Sequence, residues 1–210
     1  ISPAGAVSRP EVTAAVSDIE SLSTTMVRVL DEANVAVGPW HPHLEPEELQ
    51  VGLRHMLLTR LFDQRMQTIQ RQGRISFYVR CLGEEAVAVA QTMALRPEDM
   101  LFPAYRNQGL HMARGHDLVE LMCQCLSNTR DMCKGRQMPV MYHWASGNIF
   151  SISGNLATQY PQAVGWAMAA ALKGEDRLAA AWIGEGSSAE ADFHHGMTFA
   201  AVYRAPVILN

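Results

Sequence analysis

Glu185 stands between two glycines, Gly184-Glu185-Gly186, directly after the small apolar run Leu178-Ala179-Ala180-Ala181-Trp182-Ile183. Glycines at such a turn let the backbone bend sharply and let phosphate oxygens approach main-chain N–H groups. A helix starting just beyond adds donors and a positive dipole end. The carboxylate of Glu185 by itself opposes an anionic ligand. A divalent cation between the two resolves the conflict, because Mg2+ takes one or two protein carboxylates together with phosphate oxygens. The tripeptide alone leaves two readings open, a plain β–α turn or one end of a metal-bridged diphosphate site. Two other phosphate loops are excluded: G-x-G-x-x-G fails at Ala189, and no Gly-Lys-Ser/Thr occurs.

The elements around that turn must place it. Residues 177–183 read as a strand, about 189–203 as a helix, and 206 onward as a second strand. A βαβ unit of this kind builds a parallel sheet through a right-handed crossover. The strands lack alternation, which predicts burial on both faces. Ligands of such sheets bind beyond the carboxyl ends of the strands, where Glu185 stands. Upstream, Pro46 suits a first helical position, and Leu49, Leu53, Met56, Leu57, Arg60, Leu61 and Gln64 recur at helical spacing up to about Gly73. A small-residue helix is expected over 83–95, a third after the cap Asp117, and an alanine-rich fourth over about 159–172, with Pro161 in its first turn. Residues 128–155 read as a long loop of the functional or mobile kind. Residues 1–24 read as an extended or loosely ordered arm, followed by a hairpin turning at Asp31-Glu32-Ala33-Asn34. The division expected is therefore an arm over 1–45 and a ligand-binding domain over 46–210.

Bulk properties narrow the class. The 210 residues are 48% hydrophobic and 18% charged with net charge −4, which suits a globular domain and not a nucleic-acid binder. No apolar run reaches the roughly 18 residues of a membrane span. Cys81, Cys123, Cys125 and Cys133 fit reduced thiols, since the Cys123–Cys125 spacing matches neither a zinc nor a thioredoxin motif. Adjacent helical side chains point about 100° apart, so His194-His195 suits an exposed pair better than a chelate. Ile1-Ser2-Pro3 lacks a starting Met and reads as a trimmed N-terminus.

Several motifs in order carry a resemblance. "GEGSSAEADFHHGMTFAAVYRAPVILN" is similar to the thiamine diphosphate motif of the 2-oxo acid dehydrogenases. "RQGRISFY" with "GEEA", "YRNQG", and "KGRQMPVMY…SGNLATQYPQAVGWAMAAA" resemble the α subunits of branched-chain 2-oxo acid dehydrogenase E1 components, from about residue 26 onward. The resemblance implies an α/β thiamine-diphosphate-binding fold, a parallel sheet flanked by helices and incomplete on its C-terminal side. It implies thiamine diphosphate and Mg2+ as cofactors, K+ as a further ion, and an α2β2 heterotetramer with the E1 β subunit. The reaction implied is oxidative decarboxylation of a branched-chain 2-oxo acid, with acyl transfer to the E2 lipoyl domain. Pyruvate or another 2-oxo acid, or a catalytically inactive assembly role, are the alternatives.

Carried over by position, Glu185 is the Mg2+ ligand, standing where many relatives have Asp, with Gly186 and Ser187 near the diphosphate. Tyr105 and Arg106 meet the cofactor, and the main chain of Leu156 meets its aminopyrimidine. Ser153, Thr158 and Gln159 match a monovalent-cation site, although Gly154 and Asn155 stand where Ser and Pro are commoner. Phe77 matches a wall of the acyl pocket beside Tyr105, or else packs in the core. No catalytic residue is assigned within these 210 residues. The family's closing metal-ligand Asn is expected beyond Asn210, so the sequence is read as about half an α subunit. Neither nucleic acid nor membrane is expected as a partner. The location expected is cytoplasmic for a bacterial protein and the mitochondrial matrix for a eukaryotic one.

Overall fold

The computed structural model describes residues 2–210, which fall into two units dividing after Leu49. In the first unit a short helix, α1 (Val16–Ile19), runs into a 3-10 turn over Glu20–Ser23, where extended backbone is expected. Ser and Thr hydroxyls cause the coiling by bonding back to the chain: Ser23 Oγ donates to Glu20 O and Thr25 Oγ1 to Ser21 O, both at 2.7 Å. The hairpin turns where the sequence places it. Asp31 Oδ1 accepts from the N–H groups of Ala33 and Val35 at 2.9 Å, and Leu30 bridges Ala36 in antiparallel fashion.

The second unit is an α/β layer structure. Helix α2 (Pro46–Arg71) buries Thr59, Phe62, Asp63, Met66 and Ile69. Leu53, Leu57 and Leu61 of the periodic stripe are 54%, 55% and 62% exposed, so another stripe of the helix faces inward. Both stripes have helical period, so periodicity cannot tell which faces inward; the packing of Phe62, Met66 and Ile69 against Leu121, Val140 and Tyr142 does. Helix α3 (Glu85–Met93) meets α4 (Gln108–Ala113) closely. A Cβ on Gly109 would lie 3.2 Å from Ala88 Cβ, so glycine lets the two helices meet without a tight contact there. Helix α5 (Leu118–Cys125) starts at Asp117, whose Oδ1 accepts from Val119 N and Glu120 N.

The sheet is parallel in the order β1 (Met100–Phe102), β2 (Ala179–Ala181), β3 (Val207–Leu209). Strand β2 is wholly buried and made of alanine. Ala180 faces Ala88, Leu101, Leu110 and Ile149, while Ala179 and Ala181 face Phe102, Tyr160, Ala163 and Ala167. Methyl side chains let helices approach both faces of the middle strand. Helix α6 (Gln159–Leu172) covers one face and α7 (Ala191–Tyr203) makes the crossover between β2 and β3. Gly196 allows α7 to touch α6, since a Cβ there would lie 2.8 Å from Tyr160 Cβ. Strand β3 departs from the expected two-sided burial. Among the described residues it packs Val207 and Leu209 against the α6 side of the sheet, while Ile208 is 44% exposed. The loop over 128–155 is pinned rather than free. Ile149 is fully buried and bridges Leu101 and Trp144, and Gln124 holds Met138 O and Val140 N through its side-chain amide.

All four cysteines are free, with Cys81, Cys123 and Cys125 buried. His194 and His195 lie exposed on α7. Among the described residues no helix is long and apolar enough to cross a membrane.

A buried histidine pair gives the unit an acid-sensitive point. His111 on α4 is fully buried with Nδ1 3.1 Å from Nδ1 of His116, and its Nε2 has no partner. The His116 ring stacks on Trp144 and its Nε2 lies 3.3 Å from Glu120 Oε2. Burial, reinforced by His116, holds His111 well below 6.5, and burial lowers His116 against the opposing pull of Glu120. The native state therefore resists protons that the unfolded chain takes up below about pH 6.5, so stability is intact above that pH and falls as pH drops towards the folded pKa values. Each such group contributes at most about 1.4 kcal/mol per pH unit in that window. Thermal midpoints of wild type and His111→Leu at pH 7.5 and 5.5 should show a smaller acid drop in the variant. Equal drops would contradict this account.

Candidate functional site

A cavity of about 560 Å3 opens at the carboxyl end of β2. It brings together residues from separate elements: Tyr105 and Arg106 from the β1–α4 connection, Leu156 and Gln159 from the entry to α6, and Glu185, Gly186 and Ser187 from the turn after β2. The turn is not the simple strand-to-helix step expected from sequence. Residues Glu185–Ala189 wind as a 3-10 helix, and α7 begins only at Ala191. The reason is local bonding: Ser187 N donates to Gly184 O at 3.0 Å and Ser188 Oγ to Glu185 O at 2.7 Å, which tightens the turn. Glu185 is exposed to the cavity and Ser187 is buried.

Three observations test whether these residues fit a diphosphate with its metal. First, a Cβ added to Gly184 or Gly186 would meet nothing within 4 Å, and neither glycine has a left-handed φ. The fold itself does not demand glycine there, so the bare backbone is left facing the cavity. Second, Arg106 lies over the Tyr105 ring, 5.6 Å from its centroid, and uses one nitrogen, Nη1, in a 2.8 Å bond to Arg80 O. The rest of its guanidinium fork is available to an anion. Third, Gln159 Oε1 is buried without a partner, an oxygen that an entering N–H or cation would satisfy. Among the described residues no three His, Cys, Asp or Glu side chains converge on a metal position. Glu185 would thus act beside phosphate oxygens, as Mg2+ commonly allows. The residues fit the group.

Other sequence-predicted residues lie outside this cavity. Phe77 is partly buried and packs with Tyr105 against the cluster of Phe62, Met66 and Tyr142. Ser153 Oγ accepts from Asn155 N, and Thr158 Oγ1 donates to Asn155 O, so both hydroxyls order the loop beside Leu156. Asn210, by contrast, lines the cavity, and its amide is engaged, Oδ1 accepting from Gln91 Nε2 at 2.8 Å and Nδ2 donating to Ala181 O at 3.1 Å.

Sequence reading missed Glu84, Gln91 and Trp182, all of which line the cavity. The signal was the pair Glu84-Glu85, whose members diverge. Glu85 is buried, bonds Arg60 and accepts from Gly83 N at 3.0 Å, and the Arg60 bond holds its carboxyl below the usual range. Glu84 turns to the cavity. Burial raises its carboxyl, opposed by Arg106 and reinforced by Glu185. Gln91 joins Trp182 to Asn210, receiving the indole N–H of Trp182 on its Oε1.

A parallel α/β sheet with this glycine-flanked carboxylate and facing arginine accords with the sequence comparisons. The family "Dehydrogenase E1 component" matches residues 53–210, and the chain belongs to that family, which generally uses thiamine diphosphate. Within it, the chain is 57% identical over 210 residues to the 2-oxoisovalerate dehydrogenase subunit alpha of Pseudomonas aeruginosa, covering 100% of this chain and 51% of that protein. It is 41% identical over 182 residues to the human mitochondrial 2-oxoisovalerate dehydrogenase subunit alpha, covering 86% of this chain and 41% of the relative. It is 38% identical over 194 residues to subunit alpha 2 of Arabidopsis thaliana, covering 92% and 41%. The chain therefore spans about half or less of the length of these relatives.

Proposed function

We propose that residues 46–210 form part of the cofactor-binding domain of an E1 α subunit in a branched-chain 2-oxo acid dehydrogenase complex, with residues 1–45 as its N-terminal arm. The observation that carries this reading is the convergence of Tyr105, Arg106, Leu156, Glu185, Gly186 and Ser187 on one cavity at the end of β2. Glu185 would hold Mg2+, Arg106 would grip phosphate oxygens with its free fork, and the backbone of Gly186 and Ser187 would lie along the diphosphate. Leu156 and Tyr105 would bound the rest of the cofactor, and Phe77 with Tyr105 would present an apolar wall to a branched acyl chain. Ser153, Thr158 and Gln159 would order their loop around K+. Thiamine diphosphate, when bound, supplies the nucleophilic carbon and electron sink for decarboxylation. The E1 β subunit would complete the site in an α2β2 assembly, and the E2 lipoyl domain would receive the acyl group. The higher identity to the Pseudomonas protein favours a bacterial, cytoplasmic setting over the mitochondrial matrix.

The full-length subunit reconstituted with its β partner should decarboxylate 3-methyl-2-oxobutanoate with higher kcat/KM than pyruvate. The reverse preference would move the reading to a pyruvate-type enzyme. Assembly without turnover on either substrate would leave only an assembly role.

Helix α6 bears on the β partner. Its inner face is sealed in the chain's own core by Tyr160, Ala163, Val164, Ala167 and Ala170. Gly165 points outward with nothing within 4 Å of an added Cβ, on an apolar groove shared with Pro161, Met168 and Phe199. Gly165→Leu should leave the isolated subunit folded, and by helix propensity up to about 1 kcal/mol more stable. Mixed with β, it should fail to give the α2β2 peak in size-exclusion chromatography through overpacking. A normal peak would rule out this face as the interface, and loss of helical signal in the isolated subunit would place Gly165 in its own core.

A further inference from the structure

The segment over 76–81 carries no helix and no strand, yet it contains Phe77 and contacts Arg106. Its backbone is held by side chains. Val79 O accepts from Gln108 Nε2 at 2.9 Å, Arg80 O accepts from Arg106 Nη1 at 2.8 Å, and Cys81 N donates to Asp63 Oδ1 at 3.0 Å. Asp63, on α2, is 0% exposed. Its second oxygen accepts from Arg80 Nε at 2.9 Å, and its first also takes the Tyr78 hydroxyl at 3.2 Å and the Cys81 thiol at 3.6 Å. Burial, then the Asp63 charge, push the Tyr78 phenol and Cys81 thiol up, which keeps both protonated as donors.

A buried carboxylate costs desolvation unless its oxygens are filled. Here every partner lies on one short irregular segment, at Tyr78, Arg80 and Cys81. Arg106 is 26 residues from Arg80 in sequence and leans on its carbonyl, so the position of that carbonyl sets where the guanidinium points. We propose that Asp63, acting through Arg80, is a positioning residue that orients Arg106 toward the cofactor diphosphate. This rests on the reading of Arg106 under the proposed function. The carboxylate holds the Arg80 side chain, and the Arg80 carbonyl holds Arg106. The fork is thereby aimed before the ligand arrives, and less order must be imposed on binding.

The test is a double-mutant cycle on the full-length subunit assembled with its β partner. Thiamine diphosphate is titrated in excess Mg2+ by calorimetry, and kcat is measured at saturating cofactor. Asp63→Asn should weaken cofactor binding by about 10- to 100-fold, the range seen when an outer partner that orients a metal ligand is lost. It should leave kcat nearly unchanged. In an Arg106→Ala background Asp63→Asn should add no further loss, because the group it positions is gone. If Asp63→Asn does not assemble, Arg80→Gln, which removes the ion pair at its half-exposed end, takes its place in the same cycle. Losses that multiply, or no loss from Asp63→Asn or Arg80→Gln while Arg106→Ala weakens binding, would overturn the proposal. If Arg106→Ala itself leaves affinity unchanged, the reading of Arg106 fails and the inference falls with it.

Discussion

Glu185→Ala in the full-length subunit should remove most of the Mg2+ dependence of cofactor binding. Glu185 projects from a 3-10 turn into the cavity and is the sole carboxylate on that turn's cavity side. With the metal present, the carboxylate and the phosphate oxygens would share the cation, so removing the carboxylate should weaken binding by roughly 100-fold, the upper range for loss of a group supporting a metal site. Without the metal the sign reverses. The wild-type carboxylate then faces the diphosphate as a like charge, so the alanine variant should bind metal-free cofactor as well as wild type or better. Glu185→Asp should retain part of the Mg2+ response, because it keeps the charge and shortens its reach by one methylene. Calorimetric titrations of thiamine diphosphate across a Mg2+ series check this. An unchanged Mg2+ response in the alanine variant would contradict the assignment.

Removal of the Arg106 guanidinium should produce the second large loss. A charge-assisted hydrogen bond to a phosphate is worth about 1.5–3 kcal/mol, or roughly 10- to 150-fold in affinity. Arg106→Lys should recover only part of it. The planar fork lets Arg106 hold Arg80 O with Nη1 while offering other N–H groups to the ligand, and a single ammonium cannot serve both at that geometry. Cofactor affinities of the Ala and Lys variants, measured in the full-length subunit mixed with its proposed β partner, decide the matter. Equal binding by Arg106→Lys and wild type would show that the fork geometry is irrelevant.

The site was readable where its residues sit close in sequence or in a dense motif. Gly184-Glu185-Gly186 after a buried alanine strand, with a helix and a further strand behind, defines a parallel crossover from local pattern alone, and the strands pair that way. What was unreadable depends on distant partners. Nothing local marks Asp63 as buried, because its partners Tyr78, Arg80 and Cys81 lie 15 to 18 residues away. Strand β1 is three residues long and α4 is six with no side-chain cap, too short for either period to register. Helix α2 carries two candidate stripes, and only tertiary packing selects Phe62, Met66 and Ile69 over Leu53, Leu57 and Leu61. Glu84 and Glu85 are chemically identical neighbours, and the position of Arg60 one helix away separates their roles.

The central claim is that the cavity under the β2–α7 turn holds the diphosphate and its metal. A crystal structure of the full-length subunit with its β partner, grown with thiamine diphosphate and Mg2+, tests it directly. The account predicts a cation about 2.1 Å from a Glu185 carboxylate oxygen, the distance Mg2+ requires. It also predicts phosphate oxygens within hydrogen-bond reach of Arg106. Diphosphate density bound elsewhere, or a metal that leaves Glu185 out of its shell, would contradict it.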